Sequence, residues 1–127
     1  MKKADYEKLQ EGELVQVPRT QFAPMRRGWN GWLFSEAVVL RKTRGRKSNK
    51  PMVAVEMMTP KSGNDYGTME KAFYAEYVFQ TNAVANAKRI LAADNVTTKE
   101  EFYQFVEREN VSGCDWINFL IDKGFLF

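Results

Sequence analysis

Apolar residues along this chain recur with a period of two as far as Gln80 and with a period of three to four beyond it. Val15 and Val17 fall on one side of a short strand beginning at Glu13, with Leu14 and Gln16 on the other. Pro18, which has no N–H for a ladder, ends it. Arg19 to Gly31 contains Pro24, Gly28 and Gly31 and predicts a long surface connection. From Trp32 to Thr43, β-branched and aromatic residues dominate and Val38, Val39 and Leu40 make both faces apolar, which predicts a long, bent, central strand. The polar turn Arg44 to Lys50 leads into Pro51 to Met58, giving a hairpin with a basic tip. A second loop carries Pro60, Gly63, Asn64, Asp65 and Gly67. Lys71 to Gln80 then alternates, with Phe73, Ala75, Tyr77 and Phe79 expected on the buried face of a strand; Tyr66 and Tyr74 are candidates to line a groove.

Beyond Gln80 three helices are predicted. The first runs from a cap at Thr81 or Asn82 to about Asp94, with Ala83, Val84, Ala87, Ile90 and Leu91 on one face. The second follows a capping box, either Thr97 with Glu100 or Thr98 with Glu101, and carries Phe102, Phe105 and Val106. The third starts at a Ser112 cap, carries Trp116, Ile117, Leu120 and Ile121, and stops at Gly124. Met1 to Gln10 reads as a short amphipathic helix or a loose arm. Strands first and helices second predict an α+β fold: a small antiparallel β-barrel or curled sheet of about four to five strands, followed by about three helices. One domain over residues 1–127 is expected, mainly β over 1–80 and helical over 81–127.

Composition narrows the chemistry. There is no histidine and one cysteine, Cys114, which removes disulfides, most zinc sites, His-dependent triads and the usual neutral-pH acid–base catalyst. No Gly-x-x-x-x-Gly-Lys phosphate cradle or Gly-x-Ser-x-Gly elbow occurs, and Ser48 near Lys50 has no evident pocket to activate it. A carboxylate-only Mg²⁺ site stays open, since Asp and Glu suit that ion. The expectation is a binding protein, not an enzyme, with no cofactor. No run approaches the ~20 apolar residues that span a bilayer, and the lone cysteine agrees with a reducing compartment, so no membrane association and a cytoplasmic location are expected.

The net charge of +3 conceals a split. Residues 1–62 hold thirteen basic and six acidic side chains (+7), residues 63–127 six and ten (−4), and residues 16–50 nine basic and one acidic (+8). A local excess of this kind concentrates polyanions near it.

Gly12-Glu13-Leu14-Val15-Gln16-Val17 resembles the Gly-x-x-Val-x-Val opening of Tudor, Agenet and KOW-type small barrels. Gly31-Trp32-Leu33-Phe34-Ser35-Glu36-Ala37-Val38-Val39-Leu40 resembles the Gly, aromatic pair and Ala-x-Val of the second Agenet strand. The resemblance covers residues 12–58 and implies a small barrel that binds peptides, methylated side chains or nucleic acids. The connection between the two strands is longer and more basic than that pattern, and no aromatic cage for methyl-lysine is assignable.

The candidate nucleic-acid-binding residues are Arg26, Arg27, Trp29, Arg41, Arg44, Arg46, Lys47 and Lys50. Guanidinium and ammonium groups neutralise phosphates and release counterions, and an exposed indole stacks on a base. A solvated loop that keeps a hairpin edge from aggregating explains the same charges, with Trp29 and Trp32 in the core. Met52, Met57, Met58 and Met69 read as core filling or as an adaptable surface. Glu100, Glu101, Glu107, Glu109, Asp115 and Asp122 read as a solvated helix face, as a docking surface for a basic partner or as a mimic of a phosphate backbone. Phe125-Leu126-Phe127 either packs back or anchors another protein. The preferred expectation is a DNA- or RNA-binding protein. The alternative is a protein-interaction adaptor or regulator, an accessory factor of a transcription or defence complex, of a size that also suits a phage-encoded regulator.

Overall fold

A computed structural model describes residues 1–19 and 34–127, and its architecture is α+β. Four strands, β1 (Leu14–Pro18), β2 (Phe34–Arg44), β3 (Pro51–Pro60) and β4 (Tyr66–Tyr74), form an antiparallel sheet in the order β1-β2-β3-β4. Helix α1 (Lys3–Lys8) precedes them. A 3₁₀ turn (Ala75–Tyr77) and helices α2 (Ala83–Ala93), α3 (Lys99–Glu109) and α4 (Asp115–Asp122) follow. The sheet is open rather than a closed barrel. Beyond β4, Phe79 reaches the outer edge of β1, exchanging two hydrogen bonds of 2.9 Å with Gln16.

The chain divides into two compact units, Met1–Thr59 with Thr68–Thr81, and Pro60–Gly67 with Asn82–Phe127. The loop between β3 and β4 therefore belongs with the helices, an assignment that local periodicity could not make.

In the first unit the alternation decides which face is buried. Val15, Val17, Ala37, Val39, Val53, Val55, Met57, Phe73 and Val78 form one cluster, joined by Leu9, with Met1 and Tyr6 packed against it. Full burial of each such Val or Phe contributes about 1.5–3 kcal/mol, which is what fixes the register of Val15 on Ala37 and Val39 on Val55. The predicted bend in β2 is a β-bulge: Val39 pairs with Val55 and Arg41 with Ala54, leaving Leu40 as the extra residue. The strand predicted over Lys71 to Gln80 ends at Tyr74, because the chain turns through Ala75–Tyr77. Phe73 and Ala75 are buried as expected, whereas Tyr77 is half-buried and Phe79 is 37% exposed.

In the second unit Thr98 caps α3, accepting from the Glu101 N–H at 3.1 Å. The Glu101 carboxylate returns to the Thr97 N–H and hydroxyl at 3.3 and 3.2 Å, one residue before the cap. Phe102 is buried; Phe105 and Val106 are half-buried. Helix α4 starts at Asp115, not at a Ser112 cap, and Asp115 Oδ1 accepts from the Trp116 N–H at 2.9 Å. Gly124 stops it at φ +83°, a left-handed conformation that a side chain resists. Leu126 is buried and Phe127 is exposed. The start of α4 is held instead by Asn64. Its Oδ1 accepts from the Cys114 N–H at 2.9 Å, its Nδ2 donates to Val111 O at 2.7 Å, and its carbonyl accepts from Asn118 Nδ2 at 2.7 Å.

Candidate nucleic-acid interface

Of the eight sequence-predicted residues, Arg26, Arg27 and Trp29 lie outside the described residues, as does Trp32. The remaining five sit on the β2–β3 hairpin, where the bulge at Leu40 decides which way each points. Val39 faces the core, so simple alternation would send Arg41 to the same side. The extra residue inverts this: Lys42 pairs with Val53 and Arg44 with Pro51 on the core side, while Arg41 and Thr43 face the other. The basic run is thereby dealt to both faces, a split invisible to charge counting.

Each face then uses its cations differently. Arg41 forms an ion pair with Glu70 at 2.7 Å, both side chains more than half exposed. Lys42 lies at the C-terminal end of α1, donating to the carbonyls of Tyr6 at 3.4 Å and Glu7 at 3.3 Å, with its ammonium 5.5 Å from the Tyr6 ring centre. A cation there complements the helix dipole. The Tyr6 hydroxyl in turn reaches the carbonyls of Thr43 at 3.1 Å and Met52 at 3.3 Å, fixing α1 across the hairpin. A groove of about 500 Å³ opens between α1, the base of the hairpin and the 3₁₀ turn, lined by Lys3, Tyr6, Arg44 and Lys50 together with Glu7 and Glu76.

The tip itself is ordered by its own backbone. The Gly45 N–H donates to Lys50 O and the Asn49 N–H to Gly45 O, both at 3.0 Å, and Asn49 takes φ +54°, which asparagine tolerates. A Cβ on Gly45 would stand 2.4 Å from Ser48 Oγ, so a side chain there would make that hydroxyl rotate away from the Lys50 N–H, which it accepts from at 3.3 Å. Arg44 Nη1 donates to Asn49 O at 3.0 Å, and Lys50 lies over the Tyr74 ring at 5.7 Å. Arg46 and Lys47 are exposed and have no hydrogen-bond or ion-pair partner among the described residues. Arg44, Arg46, Lys47 and Lys50 therefore share one small turn, and none of the four is ion-paired to an acid among the described residues. Tyr6 adjoins the site without having been marked in the sequence; Lys42 belongs to the basic run of the hairpin, and Tyr74, a groove candidate from the alternation, adjoins the tip.

Other candidate groups have structural employment. Tyr66 is half-buried, packs edge-on against Phe119 and donates to Asp122, which also faces Lys99 at 3.9 Å. Glu101 and Asp115 serve helix starts, and Glu109 pairs with Arg108. Met57 and Met58 are core residues, whereas Met52 is half-buried and Met69 is 45% exposed.

Among the described residues the buried acid in the first unit is Glu36, 7% exposed, whose Oε1 accepts from Gln16 Nε2 at 3.2 Å while Oε2 has no hydrogen-bond partner among them. Burial pushes its carboxyl pKa up, and the side chains of Thr81 and Gln16 only partly oppose that rise. Burial, with Asp115 beside it, also raises the Cys114 thiol, which keeps it protonated and a poor nucleophile at neutral pH. Among the described residues no group of three or more His, Cys, Asp or Glu side chains is placed to hold a metal ion, and no helix is long and apolar enough to cross a membrane. Comparison with family models, with curated proteins and with solved structures found no match to this chain.

Proposed function

We propose that this chain is a non-enzymatic, cytoplasmic nucleic-acid-binding protein that contacts phosphates through the tip of the β2–β3 hairpin. The observation that carries this reading is the turn bearing Arg44, Arg46, Lys47 and Lys50 with no acid paired to any of them. A solvated tip needs no such density of unneutralised charge, whereas a phosphate backbone is matched by it and releases counterions on contact. The resemblance of residues 12–58 to Tudor, Agenet and KOW-type barrels points the same way, nucleic acids being among the ligands such barrels take. Contacts of this kind position a strand without reading its bases, so binding is weakly sequence-selective.

Fluorescence anisotropy with labelled duplex DNA, single-stranded DNA and RNA tests the reading at about 50 and about 200 mM salt. Saturable binding that weakens steeply with salt is expected, and absence of binding to all three at the lower salt overturns it. A second reading, a protein-docking adaptor, has its own observation: the helical unit exposes Ile90, Tyr103 and Phe127 at 41%, 43% and 57%. A nuclease-treated pull-down that recovers a stoichiometric protein partner, lost on replacing Tyr103 and Phe127, would favour it.

A further inference from the structure

Resting on the reading above, we infer that the ligand is a single-stranded nucleic acid, one base of which stacks on Tyr74. Tyr74 is the last residue of β4, on the sheet face that also carries Arg41 and Thr43, with Glu70 and Ala72 on the same side of its own strand. Phe73 beside it turns into the core, and alternation sends Tyr74 to the opposite face, where it remains 36% exposed. At the hairpin the Cβ position of Gly45 stands 3.6 Å from Tyr74 Cε1 and 3.6 Å from Met52 Sδ, and Ala72 is the next residue along that face.

The charge lies where a nucleotide would need it. Lys50 holds its ammonium 5.7 Å from the ring centre, and Arg46 and Lys47 extend from the same turn. A base takes the place over the ring that the ammonium now shares, and the ammonium moves to the phosphate of the same nucleotide. An aromatic face beside cations is a sequence-tolerant platform for unpaired bases. A duplex offers no base face at its sides, so it engages the cations but leaves Tyr74 unused.

The test compares a labelled oligothymidylate with a duplex of equal length, for the wild-type protein and for Tyr74→Ala and Tyr74→Phe, at low and moderate salt. The single strand is expected to bind more tightly than the duplex. Tyr74→Ala should weaken the single strand about tenfold to a hundredfold, with an unchanged salt slope and little effect on the duplex, and Tyr74→Phe should restore binding. Circular dichroism and melting of both variants separate a lost contact from a lost fold. If single strand and duplex bind alike and a folded Tyr74→Ala protein matches wild type, the stacking site is overturned while phosphate binding by the tip stands. If no nucleic acid binds even at low salt, the functional reading fails and this inference fails with it.

Discussion

Replacing Arg46 and Lys47 together by alanine separates a phosphate-binding tip from a solvated one. For a single strand each neutralised phosphate contributes about 0.7 to the slope of log affinity against log salt, so the four tip cations give a slope of about −2.8. Raising salt fourfold, from about 50 to about 200 mM, then lowers affinity about 50-fold. With two cations removed the slope falls to about −1.4 and the same change in salt costs only about sevenfold. Because neither side chain has a partner among the described residues, the double variant should unfold within about 0.5 kcal/mol of wild type. Anisotropy titrations at four or more salt concentrations give both slopes, and urea melts supply the control. An unchanged slope in a folded double variant would remove these two residues from the interface. A wild-type slope near zero would remove the whole tip.

Three further outcomes follow from contacts elsewhere. Asn64→Ala strips the Cys114 N–H and Val111 carbonyl of their side-chain partners in a part-buried setting, a loss of about 2–3 kcal/mol measurable by urea denaturation; Asn64→Asp, which keeps the acceptor and loses the donor, should lose less. Thr98→Ala removes the cap of α3 and should lower stability by about 1 kcal/mol; a change below about 0.3 kcal/mol would mean that the carboxylate of Glu101 holds the helix start alone. Glu36 has a folded-state pKa above its unfolded value, so its favourable contribution is complete below the unfolded pKa and is lost as pH rises through the folded one. Glu36→Gln should therefore be more stable than wild type near pH 7, with the advantage vanishing towards about pH 4. A variant less stable than wild type at neutral pH would show that the carboxylate is wanted charged.

The sheet was legible wherever one face is buried and the other is not. Val15 and Val17 alternate against Leu14 and Gln16, and the hairpin of β2 and β3 follows from apolar runs around a polar turn. Alternation misled after Tyr74, since Tyr77 and Phe79 keep the spacing of a strand although the backbone has already turned. The capping box at Thr98 was readable because its two members are three apart; the start of α4 was not, because its partner, Asn64, lies 50 residues away from Cys114. For the candidate site, sequence located the charge but not its direction. One unpaired residue, Leu40, reverses the facing of Arg41, Lys42 and Arg44, and no pattern of residue types marks it.

The placement of residues 60–67 has a consequence for dissecting the molecule. The chain leaves the sheet unit at Thr59, supplies Asn64 to the helices, returns at Thr68 for β4, and crosses again after Thr81. Three such crossings mean that no single cleavage can release either unit intact. A fragment ending at Thr81 carries away the helices' Asn64, and a fragment beginning at Asn82 starts α2 but lacks the group that seats α4. Limited proteolysis should accordingly give nicked chains that stay associated or unfold together, and a binding module made of the sheet unit alone would have to be built by closing the gap from Thr59 to Thr68 with a new turn.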